Sequence, residues 1–372
     1  MIAEELFFKA LVPNDHYFSK EIFDQEQLMF QRNWYYVGVS TDLENHNDFI
    51  TCNIGGKDVV VQNFKGEIKA FHNVCTHRFN KIQTQQSGNR PLMCQYHGWN
   101  YNNTGIPFGI PLKNEFKGLD KESLNKLCLT SFDLALMGKF VFVRIAKEGP
   151  SLEEFLGETG KKLLEISKMI GRKIEHNEIV NYANWKVVVE NTLEGYHISS
   201  VHPNTFYKQG FNLKSTVDFT VDSPHTSMIL HLSESAEKDK KREKFHKLMK
   251  DRPFKPEGFY HALLYPNLSI GSLFGISVYI GSIKSFGPDE SVFAYDLFET
   301  KKNEEELLDE TISSVIGPGA QEFTHITLSE DKEICEQVQL GLRQSGDAKG
   351  VLSNQETRIW EFQKAYLASL EK

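Results

Sequence analysis

Cys75-Thr76-His77-Arg78, fifteen intervening residues, then Cys94-Gln95-Tyr96-His97-Gly98-Trp99 is the stretch on which the reading of this chain turns. It supplies two thiolates and two imidazoles in the order Cys, His, Cys, His. Thiolates hold ferric iron well and neutral imidazoles suit the more reducible iron of a pair, so the mixed set fits a [2Fe–2S] cluster. An all-cysteine set would keep such a cluster at a far lower potential. A structural zinc ion also accepts two Cys and two His, but zinc-finger spacing groups the cysteines in one knuckle and the histidines in the other. Here each knuckle carries one of each. Gly98-Trp99 and Gly105 then provide a tight turn out of the second knuckle.

Around these knuckles the pattern from Trp34 to about Ile145 is rich in short apolar runs. Trp34–Val39, Val59-Val60-Val61, Ile68–Phe71 and Phe140–Val143 read as strands, with Gly55-Gly56 and Lys65-Gly66-Glu67 as hairpin turns. The knuckles therefore belong on loops at the tip of a small β-domain, where backbone N–H groups can face cluster sulfurs. Before it, Glu21 to Arg32 reads as a core-facing helix. After it, Gly149-Pro150-Ser151 marks a boundary, and Ser151 with Glu154 forms a capping box for a helix to about Ile170.

Glu178 to Val189 reads as a strand carrying Trp185, and it leads into a second dense constellation, Asn184 to Pro203. His197 and His202 are five apart, so a helix that bends or ends between them is needed to bring both rings together. Two imidazoles and one distant carboxylate make a facial triad on ferrous iron, with open positions for dioxygen and substrate. Alone, two histidines at this spacing are weak evidence, because a His in a mixed helix is more often a core or surface residue. The run from Glu237 to Lys244 within 233–255 reads as a solvated helix or, functionally, a lid. Phe259 to Phe298 reads as a twisted antiparallel sheet broken at Pro266-Asn267, Gly271, Gly275, Gly281 and Gly287-Pro288. The tail from Leu328 is mostly helical, with breaks at Gly341 and Gly350.

A chain of 372 residues allows two domains and a sizeable core. Its 42 basic and 50 acidic residues give a net charge of −8, which speaks against nucleic acid as a partner. No apolar run approaches the length of a membrane span, and the start lacks a basic-then-apolar leader. Setting aside Cys75 and Cys94 leaves Cys52, Cys128 and Cys335, an odd and scattered set that suits reduced thiols in a cytoplasmic protein. Gly55-Gly56 lacks the strand–turn–helix setting of a nicotinamide or flavin fingerprint.

On both knuckles, on Asn73-Val74 before them and on Tyr101 and Gly105 after them, the chain resembles the α-subunits of Rieske non-haem iron oxygenases, also called ring-hydroxylating oxygenases. It departs from that pattern at Phe79-Asn80, where a Gly is usual, and at Gln95, where a Pro is usual. The second constellation carries the resemblance further through Asn184-Trp185-Lys186, Glu190-Asn191, Glu194, His197 and His202. The resemblance implies an α+β chain: an N-terminal helical segment (1–33) packing on the catalytic domain, a β-rich Rieske [2Fe–2S] domain (34–148) and a helix-flanked antiparallel-sheet catalytic domain (149–372). It implies that Cys75, His77, Cys94 and His97 hold the cluster and that His197, His202 and Asp331 hold a mononuclear Fe(II). Asp331 is chosen because it precedes Glu336 by five and Gln339 by eight; Glu330 is the alternative.

The same resemblance places Asn191 and Glu194 among the catalytic residues. Glu194 would bridge His197 to the cluster His97 of a neighbouring subunit; most members use Asp there, and Glu is similar to those oxidising quaternary ammonium compounds. A simple packing variant is the competing account. The implied assembly is a head-to-tail homotrimer fed by a separate NAD(P)H-dependent reductase, directly or through a ferredoxin. The implied activity is O2-dependent hydroxylation or oxidative demethylation of a small organic substrate, with cis-dihydroxylation of an arene as the alternative. Phe206, Tyr207, Phe211, His225, His231, Phe274 and Tyr279 are the expected pocket contacts.

Overall fold

The computed structural model describes residues 8–233, 254–301 and 310–371, so the charge-dense run read as helix or lid lies almost wholly outside the described residues. The chain divides into two compact units, Glu26–Phe155 and a second built from Met1–Gln25 with Leu156–Lys372. Among the described residues no helix is long and apolar enough to cross a membrane.

The first unit is a seven-stranded antiparallel sheet in the spatial order Tyr35–Val39, Phe140–Arg144, Ser131–Met137, Glu67–His72, Lys57–Phe64, Asp48–Ile54 and Ser87–Asn89. Both expected hairpin turns form. Gly55 and Gly56 take φ of 54° and 78°, and Lys65 and Gly66 take 57° and 96°. Positive φ at both central residues gives the two-residue turn whose twist matches the flanking strands. The strand Phe140–Arg144 is buried along its whole length. The capping box also forms: Ser151 N–H donates to Glu154 Oε2 at 2.8 Å, and Glu154 N–H donates to Ser151 Oγ at 3.2 Å.

The two cysteine knuckles are the same turn built twice. Cys75 N–H donates to the Asn80 carbonyl and Phe79 N–H to the Cys75 carbonyl, both at 2.9 Å. Cys94 N–H donates to the Trp99 carbonyl at 2.8 Å and Gly98 N–H to the Cys94 carbonyl at 2.9 Å. The fourth residue after each cysteine is left-handed, Phe79 at φ 59° and Gly98 at φ 72°. Glycine adopts this region freely, whereas a side chain costs about 1–2 kcal/mol there. The Phe79 ring is 79% exposed, so little burial offsets that cost.

The second unit carries a seven-stranded antiparallel sheet in the order Ile170–Asn181, Glu290–Thr300, Ser277–Gly287, Leu268–Leu273, Gly258–Leu264, His225–His231 and Val217–Asp222. Gly271 and Gly281, expected as breaks, instead lie inside strands. A Cβ at Gly271 would overlap the Tyr279 ring, and one at Gly281 the Phe293 ring, so these glycines seat cross-strand aromatics.

Two further expectations need correction. The strand read through Trp185 ends at Asn181, and Asn184 caps a helix from Trp185 to Thr192 by accepting from Lys186 N–H at 2.9 Å. Trp185 to Val189 are all buried, and a short run buried on every side has no period to separate strand from helix. Gly341 does not interrupt the tail helix, which runs from Glu310 to Gln344. An internal glycine costs a packed helix only about 1 kcal/mol. The stop comes where Gly346 turns left-handed at φ 55°.

Replacing Phe79 by Gly is expected to stabilise the protein by roughly 0.5–1 kcal/mol, the relieved strain less the greater chain entropy of glycine. Gly98→Ala should cost a similar amount. Denaturant titrations of the two variants check this, and a loss on Phe79→Gly would contradict it.

Candidate metal centres and substrate cavity

In the first unit Cys75 and Cys94 are free thiols buried in one apolar cluster with Phe71, Ile82, Leu92, Trp99 and Tyr101. The His77 ring stacks on the Trp99 indole at 4.8 Å with 3° between planes, and lies 4.7 Å from the His97 ring. His77 Nδ1 is buried without a hydrogen-bond partner, a costly state unless something binds there. His97 is exposed. Two inward thiols and two adjacent imidazoles, one nitrogen waiting for a partner, fit a mixed-ligand [2Fe–2S] cluster.

Hydrogen-bonding groups reach both cysteine sulfurs. Burial pushes the Cys75 thiol up, and the Tyr101 hydrogen bond works against it. Thr76 Oγ1 donates to the Leu127 carbonyl at 2.8 Å and Thr76 N–H donates to Tyr101 Oη at 3.1 Å, so the phenol proton has two acceptors in reach, Cys75 Sγ at 3.1 Å and Thr76 Oγ1 at 3.2 Å. Asn80 Nδ2 donates to Cys94 Sγ at 3.6 Å. In the sequence Asn80 is only a departure from the family pattern, because its role as a donor depends on the knuckle fold.

In the second unit His197 and His202 stand at the two ends of a one-turn helix, Ile198–Val201, which meets the requirement for a helix that ends between them. Their Nε2 atoms are 3.1 Å apart. Asp331 Oδ1 lies 3.0 Å from His202 Nε2 and 3.6 Å from His197 Nε2. Both Nδ1 atoms face carboxylates: that of His197 meets Glu194, and that of His202 is 2.8 Å from Glu330 Oε2. An imidazole that donates from Nδ1 offers a lone pair at Nε2. Two lone pairs and a carboxylate oxygen in mutual contact repel unless a cation lies between them. Right-angled bonds of about 2.1 Å put neighbouring ligand atoms about 3 Å apart, so the three atoms fit one face of an octahedral ferrous ion.

The long helix positions Asp331. Asp331 Oδ1 accepts from Asn191 Nδ2 at 2.8 Å. Five residues on, Glu336 accepts from Tyr182 N–H at 3.0 Å. Eight residues on, Gln339 accepts from Asn184 N–H and donates to the Tyr17 carbonyl, both at 2.9 Å. The Asp–Glu–Gln spacing is thus one helix face clamped to the segment that starts the helix of Asn191. Glu330, the alternative ligand, sits behind His202 and also accepts from Thr205 Oγ1 at 3.3 Å. Burial disfavours charge on His202, but Asp331 and Glu330 together hold its imidazole above the usual range. Glu194 also accepts the backbone N–H groups of Tyr196 and His197.

These groups open onto a cavity of about 480 Å³. Of the expected contacts, Phe206, Phe274 and Tyr279 line it. The others do not: Phe211 is in the core, Tyr207 is exposed, His225 accepts from Tyr265 N–H at 3.1 Å and His231 pairs with Asp218 at 2.7 Å. Phe259 and Phe323 complete the aromatic wall. Phe323 lies eight residues before Asp331 on the same helix, and helical periodicity back from that aspartate would have found it.

The family model described as ring hydroxylating alpha subunit (catalytic domain) matches residues 171–372, more than half of the chain, and that of the Rieske [2Fe–2S] domain matches residues 33–128. The chain belongs to the ring-hydroxylating α-subunit family. It therefore pairs a Rieske [2Fe–2S] domain with a catalytic domain of the kind that binds mononuclear iron. The glycine betaine monooxygenase oxygenase subunit of Chromohalobacter salexigens is 31% identical over 196 residues, 52% of this chain and 43% of that relative. The large oxygenase component of the naphthalene 1,2-dioxygenase system of Pseudomonas fluorescens is 31% identical over 198 residues, 50% of this chain and 43% of the relative. The chain thus spans less than half the length of these curated relatives. The quaternary ammonium Rieske monooxygenase CntA, solved with L-carnitine, shares the fold at a TM-score of 0.78 and 20% identity, over 98% of this chain and 96% of that one. A naphthalene 1,2-dioxygenase with bound indole does so at 0.76 and 19%, over 99% and 94%.

If Glu330 orients His202 as its contact indicates, Glu330→Gln should weaken Fe(II) retention about 10–100-fold in chelator competition. The visible spectrum of the cluster should be unchanged, and undiminished iron affinity would exclude the role.

Proposed function

We propose that this α-subunit is the terminal component of a Rieske non-haem iron oxygenase system, hydroxylating or oxidatively demethylating a small organic substrate. The observation that carries this reading is the meeting of His197 Nε2, His202 Nε2 and Asp331 Oδ1 at the wall of an aromatic-lined cavity. On this reading Cys75, His77, Cys94 and His97 hold the cluster, and the His–His–Asp set holds iron. When bound, the two centres supply stored electrons and activation of dioxygen. The chain's own groups do the remaining work. Glu194 and Glu330 keep both imidazoles in the tautomer that offers Nε2. Asn191 steers Asp331 Oδ1 toward the histidines. Phe206, Phe259, Phe274 and Phe323 exclude water and hold an apolar substrate body.

The assembly follows the same reading. Exposed His97 and Glu194, the latter already on His197, are the two halves of a bridge between neighbouring copies in a head-to-tail trimer. Electrons come from a separate NAD(P)H reductase, directly or through a ferredoxin, in the cytoplasm. We assign 34–148 to the Rieske domain and 149–372 to the catalytic domain; of the N-terminal segment, 1–25 falls in the same compact unit as the catalytic sheet and Glu26 onward in the first unit.

The relatives' names define two compound sets for a test: quaternary ammonium compounds, and arenes with aromatic acids. The reduced protein is exposed to oxygen with each compound while the visible band is followed and products are identified. A substrate should speed recovery of the band and yield one hydroxylated or demethylated product. A dihydrodiol would replace monooxygenation by cis-dihydroxylation. Asp331→Ala should keep the cluster band yet form no product, and product from that variant would refute the reading.

A further inference from the structure

Behind the cavity lies a charge that the proposed chemistry does not use. Arg358, on the helix Thr357–Leu370, is fully buried. Its guanidinium donates to Thr226 Oγ1 at 3.1 Å, to the Leu193 carbonyl at 3.1 Å, to the Thr226 carbonyl at 3.2 Å and to His261 Nδ1 at 3.0 Å. All four acceptors are neutral, and among the described residues no carboxylate pairs with it. Burial lowers its pKa to about 9, so it remains a cation at neutral pH. Buried charges are ordinarily paired, because an uncompensated one is costly.

The charge is relayed to the cavity wall. A guanidinium can only donate, so His261 Nδ1 must accept and its proton must sit on Nε2. That proton is donated to Ser269 Oγ at 3.0 Å. Ser269 Oγ is in turn 3.2 Å from Tyr279 Oη. With Ser269 Oγ accepting from His261, its own proton can be donated to Tyr279 Oη, an arrangement that frees the phenol proton for a ligand in the cavity. Both His261 and Tyr279 line the cavity, and Gly271 has no side chain because the Tyr279 ring lies across it. Elsewhere on the wall the charged groups are Lys208 and Lys255, neither of which pairs with a carboxylate among the described residues. The wall's carboxylates, Glu194 and Asp331, are both engaged with the histidine pair.

We propose that the substrate of this cavity carries a carboxylate, received by the Tyr279 hydroxyl and balancing the positive charge of Arg358 behind it. This rests on the oxygenase reading of the same cavity and narrows its substrate class to organic acids, zwitterions included. Tyr279 is a substrate-binding residue; Arg358, His261 and Ser269 are positioning residues that act through it.

The test is calorimetric titration of the oxidised holoprotein, without reductant, using acids and their isosteric amides: benzoate against benzamide, and butyrate against butyramide. At least one acid should bind ten-fold or more tightly than its amide. Tyr279→Phe and Ser269→Ala should each shrink that ratio at least five-fold, whereas Arg358→Lys, which keeps the charge, should preserve most of it. A loss of folding would lower acid and amide binding together and leave the ratio unmoved. Equal responses to acid and amide, including none from either, overturn the proposal. So does a preference that survives in Tyr279→Phe, since a carboxylate bound at the metal would behave that way. Acid preference without any oxygen-dependent product would sink the oxygenase reading and leave the carboxylate site standing. Turnover of neutral or cationic compounds without acid preference would do the reverse.

Discussion

Two imidazole nitrogens 3.1 Å apart, each with its lone pair turned toward the other, are the constraint around which the catalytic unit is arranged. Left to themselves the rings would rotate apart or take up a proton between them. They are held by what lies behind: Glu194 at one Nδ1 and Glu330 at the other. The chain therefore accumulates negative charge around a point that only a cation can occupy comfortably. Asp331 completes it from a third direction.

The Rieske unit answers a similar difficulty by repetition. Each cysteine sits in a turn whose N–H and carbonyl are both satisfied locally, which lets the thiol be buried without leaving its backbone unpaired. Donors from outside the turn then reach the sulfurs, Tyr101 for Cys75 and Asn80 for Cys94. The repeat also accounts for the unusual backbone at Phe79, which occupies the position that Gly98 fills in the other knuckle.

Much of this was legible in the sequence because ligand chemistry constrains residue type more tightly than packing does. Two Cys–x–His knuckles, a His pair and an Asp with Glu and Gln at fixed offsets each express a geometric demand in a few letters. What could not be read has a physical reason in each case. Trp185 to Val189 is buried on all sides and so shows no period. Gly271 and Gly281 looked like turns because a glycine that seats a cross-strand ring is indistinguishable from one that bends the chain. Arg358 left a faint signal: it shares a helix face with buried Phe362, Ala365 and Tyr366, an odd place for a guanidinium.

The clamped face of the long helix has a consequence for how this chain can vary. From Asp331 to Gln339 the rise is about 12 Å, and both ends are tied, one to the histidines and the other to the backbone at Asn184. The interval therefore works as a length standard. A residue inserted or deleted within it would turn one end by about 100° relative to the other, so that either the clamp or the approach of Asp331 to the histidines is lost. Loops can lengthen at small expense, but this stretch of helix must be inherited whole.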